Sequence, residues 1–220
     1  MKTWARVSTA TGWLVLSVAL CASPSFGASF ADLAQDGKEL ALLSDRLLIR
    51  VPQGARLEPL TPGLMEAPSA QEQQNRMVID SGPLRMVAIV TELFRVSPAG
   101  LAQLGTAFAK SLQENRPVGE LLVAPQATNV NGLEVFDYEP RGPAKFGDAN
   151  FVKGALTRHP DGTVQLIHFF VNDAGLADLP AVRQLIRDMV ASLKPGSRQL
   201  PSGTRVQVGA GDLSLREIFG

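Results

Sequence analysis

The chain has 220 residues, enough for one domain with a full core, and 45% of them are hydrophobic against 19% charged, an ordinary globular balance. Lys plus Arg and Asp plus Glu are both 21, so no basic field exists to hold a phosphate backbone, and nucleic acid is excluded as a natural partner.

The N-terminus reads as an export signal. Lys2 and Arg6 precede a short apolar run, GWLVLSVALCA, and Ser25-Phe26-Gly27 presents small residues where a signal peptidase inspects the chain. Cleavage is expected between Gly27 and Ala28, which makes residues 1–27 the signal and predicts a periplasmic or secreted protein. The run is shorter than the roughly 20 residues a membrane span needs. Cys21 is the only cysteine and lies inside this segment. Bulky Leu20 directly before it argues against lipid attachment. The mature chain then has no thiol, hence no disulfide, no thiolate nucleophile and no cysteine metal site.

ELALLSDRLLIRVP suggests two short strands around Ser44-Asp45, ending at Pro52. Residues 59–75, rich in Pro, Gly, Ala and polar side chains, read as a surface loop. RMVID and LRMVAIVTELF form a hairpin about Ser81-Gly82-Pro83. In the second of these strands Met86, Ala88 and Val90 share one face and Val87 and Ile89 the other, which places it in mid-sheet, covered on both sides. Ser97 as N-cap and Pro98 in the first turn start a helix whose Leu101, Leu104, Phe108 and Leu112 fall on one face.

Two strands follow around Asn131-Gly132, a dipeptide suited to a tight turn with positive φ. FVKGALTRH and TVQLIHFFV, joined at Pro160-Asp161-Gly162, make the clearest hairpin. A final helix is predicted from about Leu179 to Lys194, with Val182, Leu185, Ile186, Met189, Val190 and Leu193 as its apolar stripe and Pro195-Gly196 as its stop. Strands, helix, antiparallel strands, helix: this order predicts an α+β protein, an α/β/α sandwich about a mainly antiparallel central sheet.

That arrangement resembles the PsbP-like superfamily, which includes bacterial envelope proteins of the DcrB and LpqN type. The residues that carry the likeness are RLLIRVPQGA, the hairpin into LRMVAIVTEL, the Ser97-Pro98 helix, NVNGLEVFDYE, the Asp-Gly hairpin and the last helix closing on VASLKP. It covers roughly residues 40–195, so 28–195 is expected to be a PsbP-like domain and 196–220 a tail outside it. The resemblance implies a non-enzymatic assembly factor, chaperone or binding module, and carries over no catalytic residue and no cofactor.

Chemistry is sparse. His168 projects from an apolar row with Val164, Leu166 and Phe170, and no Gly-x-Ser-x-Gly elbow, His-x-x-x-His or His-Glu-x-x-His accompanies it; it reads as a packed, hydrogen-bonded histidine. In His159-Pro160-Asp161-Gly162, turn chemistry accounts for Pro, Asp and Gly. A hydrolase would need Asp137, Glu139 or His168 to meet in one cleft; Asp137, Glu139 and Asp148 otherwise read as solubilising charges. Gly209-Ala210-Gly211 follows no strong strand and is no dinucleotide fingerprint. Arg141 and Lys145, beside Gly142 and Gly147, could receive an anionic ligand. Leu213, Leu215, Ile218 and Phe219 either fold back on the domain or dock on a partner. The expected function is therefore that of an exported, non-enzymatic module that binds another envelope protein, the alternative being a carrier of a small apolar or anionic ligand.

Overall fold

The structure, a computed structural model, describes residues 37–58, 74–81, 84–93, 100–142 and 144–198. The expected signal peptide with Cys21, most of the 59–75 loop, the Gly82-Pro83 turn, Ser97 and Pro98, and the tail from 199 with Gly209, Leu213, Leu215, Ile218 and Phe219 lie outside the described residues; the helix expected to start at Ser97 begins instead at Leu101, with Gly100, extended at ψ 147°, as its N-cap.

Strands β1 (Lys38–Leu42) and β2 (Leu47–Val51) pair antiparallel, Leu42 opposite Leu47. Then come β3 (Ala55–Glu58), β4 (Gln74–Ser81), β5 (Leu84–Leu93) and helix α1 (Leu101–Asn115). After α1 the chain lays down β6 (Leu121–Val123), β7 (Thr128–Val130), β8 (Leu133–Pro140), β9 (Lys145–Phe146), β10 (Ala149–Arg158) and β11 (Val164–Val171). It closes with the single turn α2 (Ala174–Ala177), helix α3 (Pro180–Ala191) and the two-residue β12 (Lys194–Pro195). The main sheet runs β3-β4-β5-β11-β10-β8-β6, with β7 also on β8 and β9 on β10; every pairing is antiparallel.

The alternation read from the sequence places the two faces of this sheet. Ile167, Phe169 and Val171 of β11, with Met86, Ala88 and Val90 of β5, pack under α3 and the β1–β2 hairpin. Val164, Leu166 and Phe170 face the other way, toward Leu101, Ala109 and Leu112 of α1. β5 lies between β4 and β11, as a strand apolar on both faces should. The Asn131-Gly132 turn takes positive φ at both residues, 48° and 90°, the geometry that joins a two-residue hairpin with the native twist.

Two further features depart from expectation. The layer holding α3 also contains a second, three-stranded sheet, β1-β2-β12, so the cover on that side is part helix and part strand. And α3 ends at Ala191 rather than Lys194. Proline disfavours helical backbone in the residue before it, so Pro195 holds Lys194 extended, and the pair adds to β2 opposite Leu48 and Leu47. Ser192 makes the corner: its hydroxyl donates to the Met189 carbonyl at 2.6 Å and accepts from the Arg50 backbone N–H at 2.9 Å.

Candidate functional site

Four places gather side chains that could do chemistry or binding. The first is the β1–β2 turn. Leu43, Ser44 and Asp45 all adopt positive φ, 54°, 53° and 67°, a run in the left-handed region that costs of order 1 kcal/mol or more for each non-glycine residue. It persists because neighbours over-determine it. The Leu43 N–H donates to the Asn75 side chain, Gly196 N–H to the Arg46 carbonyl at 2.9 Å, and Arg198 N–H to the Asp45 carbonyl at 3.0 Å.

This turn drives Arg46 inward until only 1% of it is exposed. Its Nε donates to Glu92 Oε1 at 3.0 Å. Its Nη1 donates to Asp161 Oδ2 at 2.7 Å and to the Arg198 carbonyl at 3.1 Å, and its Nη2 to the Thr163 hydroxyl. Thr163 in turn donates to Asp161 Oδ1 at 2.7 Å and accepts from Gln165 Nε2 at 3.1 Å, while Thr157 donates to Gln165 Oε1 at 2.7 Å. Glu92, Gln165 and Thr157 are register partners on three adjacent strands, so a polar row crosses the sheet under the turn. His159 Nδ1 sits 3.1 Å from Asp161 Oδ1, and its buried Nε2 has no hydrogen-bond partner. Asp161 is therefore both a turn residue and an ion-pair partner of Arg46.

The second place holds His168. Tyr138, Gly154 and His168 are register partners across β8, β10 and β11. With no side chain on Gly154, the Tyr138 ring lies over it and brings its hydroxyl to 2.5 Å from His168 Nε2. Phe151 and Phe170 meet the imidazole edge-on. Burial pushes the imidazole down to about 3 and the phenol well above its ordinary value, so both are neutral and one hydrogen bond joins them. The expected packed, hydrogen-bonded histidine is what the structure holds. A Cβ at position 154 would come within 2.4 Å of the Tyr138 ring. Gly154→Ala is expected to cost about 2–3 kcal/mol by overpacking, read from urea unfolding. Because it displaces the same ring, adding Tyr138→Phe should cost much less in this variant than in the natural chain; full additivity would refute the bridge.

The third place is an ionic ladder on the α3 side of the sheet. Lys153 Nζ, largely buried, contacts Asp137 Oδ2 and lies 3.5 Å from Glu139 Oε2; Arg187 Nη2 donates to Glu139 Oε1 at 2.7 Å. Burial alone would raise the Glu139 carboxyl, but the Arg187 hydrogen bond and the charges of Lys153 and Arg187 outweigh it and hold it below its ordinary value. With exposed Leu122 these residues line a shallow cleft of about 300 Å³. The sheet thus places Asp137 and Glu139 on one face and the His168 imidazole in the core of the other. Asp137 and Glu139 share this cleft, where Lys153 and Arg187 hold them as ion-pair partners, but His168 does not reach it, and Asp148 lies exposed at the β9–β10 turn.

The fourth is a groove of about 530 Å³ between the end of β2 and α3. Val51, Pro52, Leu185, Met189 and Ala191 supply its apolar lining; Arg50, Asp188 and Ser192 are its polar members.

Of the anion-binding candidates, Arg141 is exposed and paired with Glu120 at 3.0 Å, and Lys145 projects exposed from β9 at the other end of the loop. Among the described residues no group of three or more His, Cys, Asp or Glu could hold a metal ion, and no helix is long and apolar enough to cross a membrane. Sequence reasoning missed Arg46. The signal was Glu92: an acid within a strand apolar on both faces is buried, and a buried acid calls for a cation.

No family model and no curated protein matches the chain. Solved structures do. The Ran-binding protein Mog1p of Saccharomyces cerevisiae matches at 21% identity, covering 71% of this chain and 94% of that one, with a TM-score of 0.45. The PsbP protein (CyanoP) of Synechocystis matches at 12% identity, covering 73% and 92%, with a TM-score of 0.45. LpqN of Mycobacterium tuberculosis, involved in cell envelope biogenesis, matches at 14% identity, covering 76% and 96%, with a TM-score of 0.43.

Proposed function

We propose that this chain is an exported, non-enzymatic binding module that takes hold of a segment of another envelope protein and assists its assembly. The observation that carries the reading is the groove between β2 and α3. Exposed Arg50, Asp188 and Ala191 rim it over a floor of buried Val51, Pro52, Leu185 and Met189, and the two charges set the chemistry of what enters: a partner segment with one small apolar anchor flanked by one acidic and one basic residue. The charged clusters support the same reading, because Arg46, Glu92 and Asp161, like Lys153, Asp137 and Glu139, bond to one another and hold elements together. Lys2, Arg6 and the small residues before Ala28 support export.

The test is recovery of the tagged chain, made with its own leader, from the envelope of its own cells, beside an Arg50→Glu/Asp188→Arg variant. The natural chain is expected to bring down one protein that the charge-swapped variant loses roughly tenfold, at unchanged melting temperature. Equal recovery by both would sink the reading. The mature N-terminus should be Ala28; a retained Met1 would count against export.

A groove of this volume also suits a small molecule, which favours, second, a carrier of a small apolar or anionic ligand. Native mass spectrometry of the recovered chain, with a bound mass in place of a protein partner, would decide for that alternative.

A further inference from the structure

The Asn131-Gly132 turn does more than join β7 to β8. It lies against the corner where α3 ends and β12 begins. Asn131 Nδ2 donates to the Leu193 carbonyl at 3.0 Å and to the Ala191 carbonyl at 3.2 Å, and a Cβ on Gly132 would lie 3.9 Å from Pro195. One side-chain amide thus serves two carbonyls at a helix end, where intrahelical donors have run out. The Gly132 N–H is engaged as well, on Asn129 Oδ1 at 3.2 Å. Asparagine followed by glycine is also chemically labile, because no side chain on the second residue hinders attack of its backbone nitrogen on the asparagine amide. Of the six asparagines in the chain, only Asn131 precedes a glycine. We infer that Asn131 is a site of covalent modification: it deamidates while the α3–β12 corner is open, is protected when the corner is closed, and once converted keeps the corner from closing.

In the open state the Gly132 nitrogen, its proton taken by hydroxide, attacks Asn131 Cγ. A carbon–nitrogen bond forms, a succinimide ring closes, and the Nδ2 group leaves as ammonia with a proton from water. Water then opens the ring at either carbonyl, leaving aspartate or isoaspartate; the net change is one water consumed and one ammonia released, with no oxidant or reductant. The closed structure holds both reacting groups elsewhere, the nitrogen through its hydrogen on Asn129 and the amide on two carbonyls of another element. The product does not suit that seat. A carboxylate has only acceptors to offer the Ala191 and Leu193 carbonyls, so two hydrogen bonds are lost and oxygens face oxygens. Isoaspartate also adds a carbon to the main chain of a two-residue turn, which disturbs the Val130–Leu133 pairing that the turn closes. Leu193 leads straight into β12, and the seam beyond it is held by the Gly196 N–H on the Arg46 carbonyl and the Arg198 N–H on the Asp45 carbonyl. Those two amides report whether the corner is shut.

The natural chain is incubated at mildly alkaline pH, folded and in urea, and each asparagine is followed by peptide mass spectrometry, with an isoaspartate methyltransferase as probe of the rearranged product. In urea Asn131 should convert faster than any of the other asparagines. Folded, it should convert at least roughly tenfold more slowly than in urea, because reaction waits on local opening. Ser192→Ala removes the hydroxyl that bonds Arg50 and Met189 at the corner and leaves the turn itself intact, so it should speed conversion in the folded chain. The converted chain, returned to native buffer, should exchange the Gly196 and Arg198 amide hydrogens at least roughly tenfold faster than the natural chain, with the β10–β11 amides unchanged. Asn131→Asp should do the same, which keeps the readout independent of recovering converted material. Faster loss of another asparagine in urea overturns the site, and equal rates for Asn131 folded and unfolded overturn the protection. An unchanged rate in Ser192→Ala places the protection outside the corner and overturns the coupling. Undisturbed exchange at 196 and 198, or an equal rise across β10 and β11, overturns the effect of the product on the corner.

Discussion

Arg46→Ala should destabilise the protein by about 3–5 kcal/mol, the range found when one member of a buried ion pair is removed and the other is stranded. Here two acids are stranded, Glu92 and Asp161, together with the Arg198 carbonyl and the Thr163 hydroxyl that the guanidinium now satisfies. Lysine cannot stand in. A compact ammonium cannot reproduce Nε on one carboxylate and Nη1 on another along two fixed directions, so Arg46→Lys should recover less than half of the loss. Urea unfolding at neutral pH measures both. A companion variant separates charge from shape: Arg46→Met with Glu92→Gln and Asp161→Asn removes all three charges and should fall much closer to the natural chain than Arg46→Ala does. A loss below about 1 kcal/mol for Arg46→Ala, the scale of an exposed pair, would mean that the cluster is not buried in solution.

Acid should unfold the protein earlier than its carboxylates alone require. The imidazole of His168 is neutral in the fold, with its titration pushed from the ordinary 6.5 down to about 3 by burial. In the unfolded chain it binds a proton near 6.5, so the unfolded state gains protons first as the pH falls. The stability that this histidine contributes is complete above 6.5 and is lost progressively between 6.5 and 3, at up to roughly 1.4 kcal/mol per pH unit. Glu139 adds to the decline later, because its carboxyl is held below 4.5 and its contribution starts to fall only near there. The window from 6.5 to 4.5 therefore separates His168 from Glu139, and a variant at 168 assigns the change to that residue. His168→Gln, which keeps a polar atom for Tyr138 and cannot titrate, should flatten the stability curve in that window even if it lowers the plateau. Parallel curves for the two proteins would contradict the assignment.

How much of this was legible in the sequence depends on the length over which a pattern is enforced. β11 could be read face by face, since eight residues of two-sided burial leave no ambiguity: Val164, Leu166, His168 and Phe170 do share one core, and Ile167, Phe169 and Val171 the other. The same held for the stripe on α3 and for Asn131-Gly132. Elements of two to four residues, such as β3, β9, β12 and α2, impose no period and could not be seen. β12 exists because β2 offers it an edge, a fact about tertiary structure alone. His168 was readable as packed because its neighbours are apolar, whereas its partner was not: Tyr138 reaches it across Gly154 from two strands away, and register is fixed by pairings that the sequence does not display. Arg46 failed for the opposite reason. Locally it is an unremarkable turn residue, and only a run of left-handed backbone turns it inward.

The β1-β2-β12 sheet has a bearing on when the molecule can become itself. Its first strand begins at Lys38 and its last ends at Pro195, with the next three residues locking onto Asp45 and Arg46. Until β12 has been made, the opening hairpin lacks its outer neighbour, and the inward guanidinium lacks the second of its two acids until Asp161 has been made. Closing such widely separated pieces is slow. A molecule built this way sets late: the seam that completes it joins residues made at opposite ends of the domain, so a break at either end leaves the whole cover unfinished.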